Sequence, residues 1–302
     1  MSTQQDLAMA KAASTDELER LAACVRRDGA RFRTMADFAW PGGQRIAVNF
    51  TLDFDAMLCR RLWNEPPMQL AKGEFGGRVG IWRLIELFDS HGVKATVFTP
   101  GRICELYPQA LKRAAAAGHE IADHMWEHHV HEDSKLEQDH LLKTIAALER
   151  VTGRRPVGTR SSHSQWLLKR EGFIYNSFSS LNHMPFYQDD VAGQNTMVQL
   201  PFHYALDDAM YFSFGWMGTR NDAQTMMDVD EVLEYWWDAF QNQYQRGGYL
   251  NILLHPFVSG RALRVEMLNQ LVLRMKTLPG VWFPTCEDVA RHCLAHHPDL
   301  AR

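Results

Sequence analysis

The sequence predicts an α/β protein of barrel type, a single domain wound around a largely parallel sheet. Strand-length apolar runs alternate with helix-period segments from Arg45 onward, the mark of repeated βα units. The 302 residues are about twice a typical domain, a length that α/β barrels use as one domain. Beyond residue 40 there is neither an internal repeat nor a flexible linker.

Residues 1–40 read as a polar N-terminal arm packed on the domain formed by 41–302, with one short helical pattern over 16–27. The strand candidates that follow are 45–55, 94–99, 120–124, 156–160, 172–177, 197–201 and 249–255. Between the first two, Ile81, Leu84, Ile85 and Phe88 recur at helical spacing before Gly92, which suits the left-handed position past a helix end. Ser134 and Glu137 have the spacing of a capping box and open a helix that Gly153 stops. Later helices run over 230–246 and 261–277.

Composition removes several function classes. Hydrophobic residues at 46% and charged residues at 23% exclude disordered and collagen-like chains. A net charge of -4, from 32 basic against 36 acidic residues, provides no field for a phosphate backbone, so no nucleic-acid partner is expected. No run approaches the roughly 20 apolar residues that a bilayer requires, so no membrane partner is expected either. The five cysteines, Cys24, Cys59, Cys104, Cys286 and Cys293, form no C-x-x-C pair and are odd in number. That pattern fits a reducing compartment, and the first thirty residues hold no signal-peptide core, so the expectation is a cytoplasmic protein.

The strand from Ile46 puts Ile46, Val48, Phe50, Leu52 and Phe54 on one face and Asp53 and Asp55 on the other. Two carboxylates at i and i+2 repel unless a cation or proton intervenes, which suits a metal or acid–base site; a solvated turn is the ordinary alternative. His124 and His128 stand at i and i+4, where a helical turn would bring both rings to one ion. The pair is not H-E-x-x-H, and a histidine-rich surface makes such spacing by chance. His129 and His131 read as solvated neighbours. His255 ends the apolar run Leu250-Asn-Ile-Leu-Leu, and Arg160 ends another strand candidate. A satisfied strand-end histidine and a carboxylate-pairing arginine are their structural readings. Yet Asp53, Asp55, His124, Arg160 and His255 all fall at C-terminal ends of strand candidates, the face on which α/β barrels build active sites.

At these residues the sequence resembles the polysaccharide deacetylases, the NodB homology or carbohydrate esterase 4 domain. Thr51-Leu-Asp53-Phe-Asp55 is similar to the first family motif, His124 to His128 to the second, Arg160 to the third and Leu253-Leu-His255-Pro to the last. The glycine-rich stretch from Gly73 to Gly80, Ala117-Gly-His-Glu-Ile121, the segment from Leu200 to Asp208, and Val281-Trp-Phe283 narrow the resemblance. They point to the branch with Helicobacter-type peptidoglycan deacetylase, cyclic imide hydrolases and metal-independent allantoinases.

The resemblance implies a distorted (β/α) barrel with about seven parallel strands and hydrolysis of a non-peptide C–N bond by metal-activated water. Asp55, His124 and His128 would hold a divalent ion, zinc foremost, with cobalt, nickel and manganese as other candidates. Asp53 would be the base, His255 the acid for the leaving nitrogen, and Arg160 the orienter of Asp53. The branch also implies a homo-oligomer, tetrameric by resemblance. Met125 and Trp126 depart from the small or polar residues usual between the histidines and are expected to reshape the pocket mouth. Asn176 stands where the family places an acid.

A small linear or cyclic amide (an imide, ureide or N-acyl group) is the expected substrate, with polysaccharide or peptidoglycan N-deacetylation as the alternative. Trp126, Trp166, Phe186, Tyr187 and Trp216 are candidates to wall a compact pocket, although core packing is the commoner fate of each. A D-x-D glycosyltransferase leaves the histidines without roles, and an iron oxygenase shares the two-histidine, one-carboxylate ligand set. A non-catalytic carbohydrate-binding barrel predicts that Asp53→Asn leaves function intact.

Overall fold

Ten strands form one sheet among the described residues of the computed structural model, which are 19, 22–23, 32–35, 38–58, 61, 67–212 and 226–298. The strands are β1 (Phe32–Thr34), β2 (Ile46–Asp53), β3 (Ala95–Thr99), β4 (Glu120–Asp123) and β5 (Gly158–Thr159), followed by β6 (Tyr175–Asn176), β7 (Phe186–Gln188), β8 (Met197–Gln199), β9 (Tyr249–Leu254) and β10 (Val281–Trp282). Their order is β1-β7-β8-β6-β5-β4-β3-β2-β10, with β9 also on β2. All seven strand candidates are present, and every pairing among the seven is parallel, as a distorted (β/α) barrel requires. An isolated parallel bridge from Asp207 to Leu253 ties the segment after β8 to β9.

Three strands go beyond the sequence expectation. β1 and β7 add an antiparallel pair next to β8, and β10 lies parallel to β2. The described end of the arm is thus part of the sheet, and Trp40 is buried with its Nε1 donating to the Gly247 and Gly248 carbonyls. Most of the 16–27 helical pattern, along with Cys24, Cys59 and Trp216, lies outside the described residues.

The longer helices are α1 (Pro67–Phe75), α2 (Ile81–Ser90), α3 (Pro108–Ala116), α4 (Ser134–Thr152), α5 (Val229–Arg246), α6 (Ala262–Lys276) and α7 (Cys286–His296). α4 begins where the sequence indicates, but the cap is Asp133, whose carboxylate accepts from the Lys135 and Leu136 amides. Glu137 turns inward instead, accepting from the Ser164 amide and hydroxyl. A tertiary partner outcompetes the capping box.

β2 is buried along its whole length, and its two faces separate the two kinds of interior. Ile46, Val48, Phe50, Leu52 and Phe54 pack outward against Leu84, Ile85 and Phe88 of α2 and Leu268 and Leu271 of α6. Truncating a ring such as Phe50, fully buried against Phe88, costs about 3–5 kcal/mol. The inner face carries Asn49, Thr51 and Asp53, all buried. Asn49 donates to the Pro284 carbonyl at 2.7 Å and accepts from the Tyr249 hydroxyl at 2.6 Å. These bonds meet the desolvation cost of a polar interior. They also make β2 a rigid base for the carboxylates at its end.

Candidate active site

Asp53 closes β2 and Asp55 follows two residues later, before Ala56 at φ 48°. Asp55 is fully buried, and neither carboxylate oxygen has a hydrogen-bond partner. Its neighbours are His124 Nε2 at 3.4 Å from Oδ1 and His128 Nε2 at 3.6 Å from Oδ2. The two histidines lie on a turn after β4 rather than the helical turn that their spacing suggested. Met125 and His128 both adopt left-handed backbone, at φ 69° and 63°, and this brings the rings to 4.8 Å between centroids.

The turn is held from outside the site. The Gly101 and Arg102 amides donate to the Met125 and Trp126 carbonyls. The Trp126 ring is buried between the Arg102 guanidinium at 4.9 Å and Lys143 Nζ at 3.9 Å. Trp126 therefore packs into the core and does not shape a pocket mouth, which corrects the sequence expectation; Met125 is buried too. Phe186 and Tyr187 are likewise core residues.

His124 Nδ1 lies 2.5 Å from the Arg160 carbonyl, which fixes the tautomer with the proton on Nδ1 and the lone pair on Nε2. That Nε2 is buried without a partner. Burial pushes the His128 imidazole below its usual value despite the Asp55 carboxylate, which favours its neutral, lone-pair-bearing form. Two donors on a tetrahedral ion with bonds of about 2.05 Å stand about 3.4 Å apart, close to the separations here. A fully buried carboxylate and an imidazole with no partners fit a divalent cation; without one they carry an uncompensated desolvation cost.

A second buried group, Asp207, Asp208 and His255, is equally compact but differently satisfied. Asp208 accepts from the His255 amide at 2.9 Å and lies 2.7 Å from His255 Nδ1, while Ser259 Oγ donates to it at 2.5 Å. Burial alone would lower the His255 pKa, but Asp208, Asp207 and Asp53 outweigh it and raise it to about 10. Burial also lifts Asp207 to about 6. A protonated imidazole clamped by carboxylates has no lone pair left for a metal ion. Asp208 had no role in the sequence reading; it lay inside a stretch noted only for its resemblance, and its i+47 separation from His255 left no periodic signal.

Arg160 is the pivot between these groups. Its Nη1 donates to Asp53 Oδ1 at 2.5 Å, Nη2 to Thr51 and Ser177, and Nε to the Ser177 carbonyl, all buried. Its guanidinium lies over Phe98 at 4.2 Å and Phe202 at 5.1 Å. Burial works to raise the Asp53 carboxyl, but Arg160, first by its charge and also by its hydrogen bond, holds it below the usual carboxylate range, with His255 adding to the effect. Asp53 is thus held as the carboxylate, with Oδ2 at 3.7 Å from His124 Nε2. Asn176, in place of the family's acid, donates to the Ser161 carbonyl and secures the loop after Arg160.

The glycine-rich stretch noted in the sequence supports both ends of the site. A Cβ at Gly73 would lie 2.5 Å from the Ala56 carbonyl oxygen, and one at Gly80 would lie 2.0 Å from that of Pro256. Only a bare backbone approaches the loops after Asp55 and His255 this closely. The histidines that follow the turn, His129, His131 and His140, contact one another, at 5.0 Å and 4.6 Å between rings.

A candidate three-donor cation site beside an ionised carboxylate and a protonated imidazole, all at strand C-termini of a β/α barrel, has the make-up of a hydrolase centre. The polysaccharide deacetylase family description matches residues 75–169. A crystal structure from Mycobacterium smegmatis assigned to polysaccharide deacetylases superposes with TM-score 0.78 and 30% identity, over 88% of this chain and 96% of that one. Peptidoglycan deacetylase of Helicobacter pylori is 26% identical over 290 residues, covering 84% of this chain and 98% of its own length. The crystal structure of Puue allantoinase gives TM-score 0.75 at 26% identity, over 86% and 93% of the two chains. The chain belongs to the polysaccharide deacetylase family and is a hydrolase of non-peptide carbon–nitrogen bonds. Among the described residues no helix is long and apolar enough to cross a membrane.

Proposed function

We propose that this protein hydrolyses a small linear or cyclic amide, an imide, ureide or N-acyl compound, at a zinc-type centre held by Asp55, His124 and His128. The observation that carries this reading is the depth of the centre. Asp53, Asp55, His124, Arg160 and His255 are all buried, and only the His128 side chain, 27% exposed, reaches solvent. A compact substrate can enter such a site, whereas a polymer must lie across its opening.

A divalent ion bound there supplies Lewis-acid polarisation of the scissile carbonyl and acidifies water. The chain's own groups do the rest. Asp53, kept ionised by Arg160, accepts the proton of the attacking water. Arg160 cannot follow that proton, because its other donors are fixed on Thr51 and Ser177. His255, kept protonated by Asp208, delivers a proton to the departing nitrogen, without which an amide does not cleave near neutral pH.

Polysaccharide or peptidoglycan N-deacetylation is the second reading, favoured by the Helicobacter relative that aligns over nearly its whole length. One experiment tests both: metal analysis of the purified protein, coupled to hydrolysis assays over cyclic imides, ureides, N-acetylated sugars and N-acetylated glycan polymers. Turnover of small amides with about one metal per chain is expected. Asp53→Asn should abolish turnover by orders of magnitude with metal retained, and His128→Ala should lower metal and turnover together. Full activity of metal-free His128→Ala sinks the mechanism, and turnover confined to polymers sinks the small-amide reading.

A further inference from the structure

A cavity of about 710 Å³ opens beside the catalytic centre at the C-terminal ends of β5, β6 and β8. It begins one residue past Arg160, at Ser161, and shares Phe202 with the centre, since that ring covers the Arg160 guanidinium. Its polar wall is mostly neutral: Ser161, Ser162, Gln165, Ser180 and Gln199 line it with hydroxyls and amides, while Ser164, Asn176 and the Gln165 amide nitrogen are already engaged with Glu137, the Ser161 carbonyl and the Gln188 and Asn195 carbonyls. Neither lysine nor arginine lines it. Its one carboxylate, Asp190, is occupied by the Ala192 and Gln194 amides and by Asn195 Nδ2 at 2.6 Å. His163, also in the wall, faces Glu137 at 3.3 Å through Nδ1, while its buried Nε2 has no hydrogen-bond partner. Around this polar floor stand aromatic rings held in solvent, Trp166 at 42%, Phe178 at 53% and Tyr204 at 52% exposed.

Neutral hydrogen-bonding groups under exposed aromatic faces recognise a ligand that is itself uncharged, with hydroxyl or amide groups along one edge and a flat apolar face. An anionic group here would lose its hydration without gaining a counter-ion, and an ammonium would find the Asp190 carboxylate already engaged by three donors. We propose that this cavity binds the part of the substrate not cleaved, and that this part is uncharged, polar at its edge and apolar on its face. This rests on the hydrolase reading above, because it assigns the substrate of that centre a second point of attachment. It also restricts substrates by charge, since an amide bearing a carboxylate or ammonium at this end is excluded even when its scissile bond is identical.

The test uses full-length, metal-loaded Asp53→Asn protein, in which binding is measured without turnover. The neutral probes are N-acetylglucosamine and N-acetyltyrosinamide; the charged counterparts are N-acetylmuramic acid and N-acetyltyrosine. Titration followed by the indole NMR signal of Trp166 is expected to show at least one neutral probe binding and its charged counterpart at least tenfold weaker. Trp166→Ala and Tyr204→Ala, at exposed positions that do not carry the fold, should each weaken binding roughly tenfold, followed by calorimetry. With Asp53 intact, the same variants should raise KM for a turned-over probe by a similar factor while kcat changes less than threefold. Equal affinity for charged and neutral members, no binding of any neutral probe, or indifference to both variants overturns the cavity assignment. Binding that follows these variants with no amide hydrolysed overturns the hydrolase reading instead. Hydrolysis with KM unmoved by the variants leaves that reading standing without the cavity.

Discussion

Replacing Asp208 by Asn is expected to lower the pH at which the candidate acid loses its proton. The fully buried carboxylate engages the His255 amide, the His255 ring and the Ser259 hydroxyl at once. It leads the three carboxylates that carry His255 to about 10 against the effect of burial. The rise from an ordinary 6.5 amounts to on the order of 5 kcal/mol in favour of the imidazolium, shared among Asp208, Asp207 and Asp53. The folded-state pKa lies above the unfolded one. The stabilisation is therefore complete below about pH 6.5 and is lost as the pH rises through about 10. Asn keeps the size and one acceptor but not the charge, so His255 should titrate about one to two units lower. The stability gap between wild type and variant should narrow from pH 6 to pH 10. An NMR titration of the His255 ring, assigned with His255→Gln, and the alkaline limb of kcat/KM report the change. An unmoved titration and an unmoved limb would refute the assignment of Asp208 as the residue that keeps the acid protonated.

Trp126→Ala should cost about 3–5 kcal/mol, since it empties a core site wedged between Arg102 and Lys143, and it should also lower bound metal by releasing the His128 turn. Urea unfolding of the metal-free protein gives the first, metal per chain the second; full metal binding would show that the turn holds itself. Gly80→Ala should destabilise the fold by about 1–3 kcal/mol, because its Cβ would meet the Pro256 carbonyl oxygen, and should slow turnover through His255. A variant as stable and active as wild type would contradict that close approach. Burial lowers His119 to about 4, and its Nδ1 accepts the Ala95 amide at 3.0 Å, so it folds neutral. With the folded pKa below the unfolded 6.5, about 3 kcal/mol is present above pH 6.5 and lost as the pH falls through 4. Denaturant melts at pH 7 and pH 4.5 should show a larger acid loss for wild type than for His119→Gln, and equal losses would remove this account.

The sequence by itself determined the parallel sheet and the placement of the site. Seven strand candidates were legible because short apolar stretches, as short as Ile121-Ala122 and as long as the run over 249–254, alternate with helix-period segments and so leave a local signal. Asp53, Asp55, His124, Arg160 and His255 were legible as a group because each terminates such a run, and chain direction then puts them on one face. What only the tertiary structure decided are relations between residues far apart in the chain. The His128 turn is left-handed because residues 101–102 and the Trp126 clamp hold it there, which i and i+4 spacing cannot express. Asp208 meets His255 through a bridge between Asp207 and Leu253, 46 residues away. Glu137 abandons its own helix end for Ser164 because a buried partner outcompetes a solvent-exposed cap. Periodicity reports which face of an element is apolar; which polar group satisfies another across the barrel is set by packing, and that exists only in the folded chain.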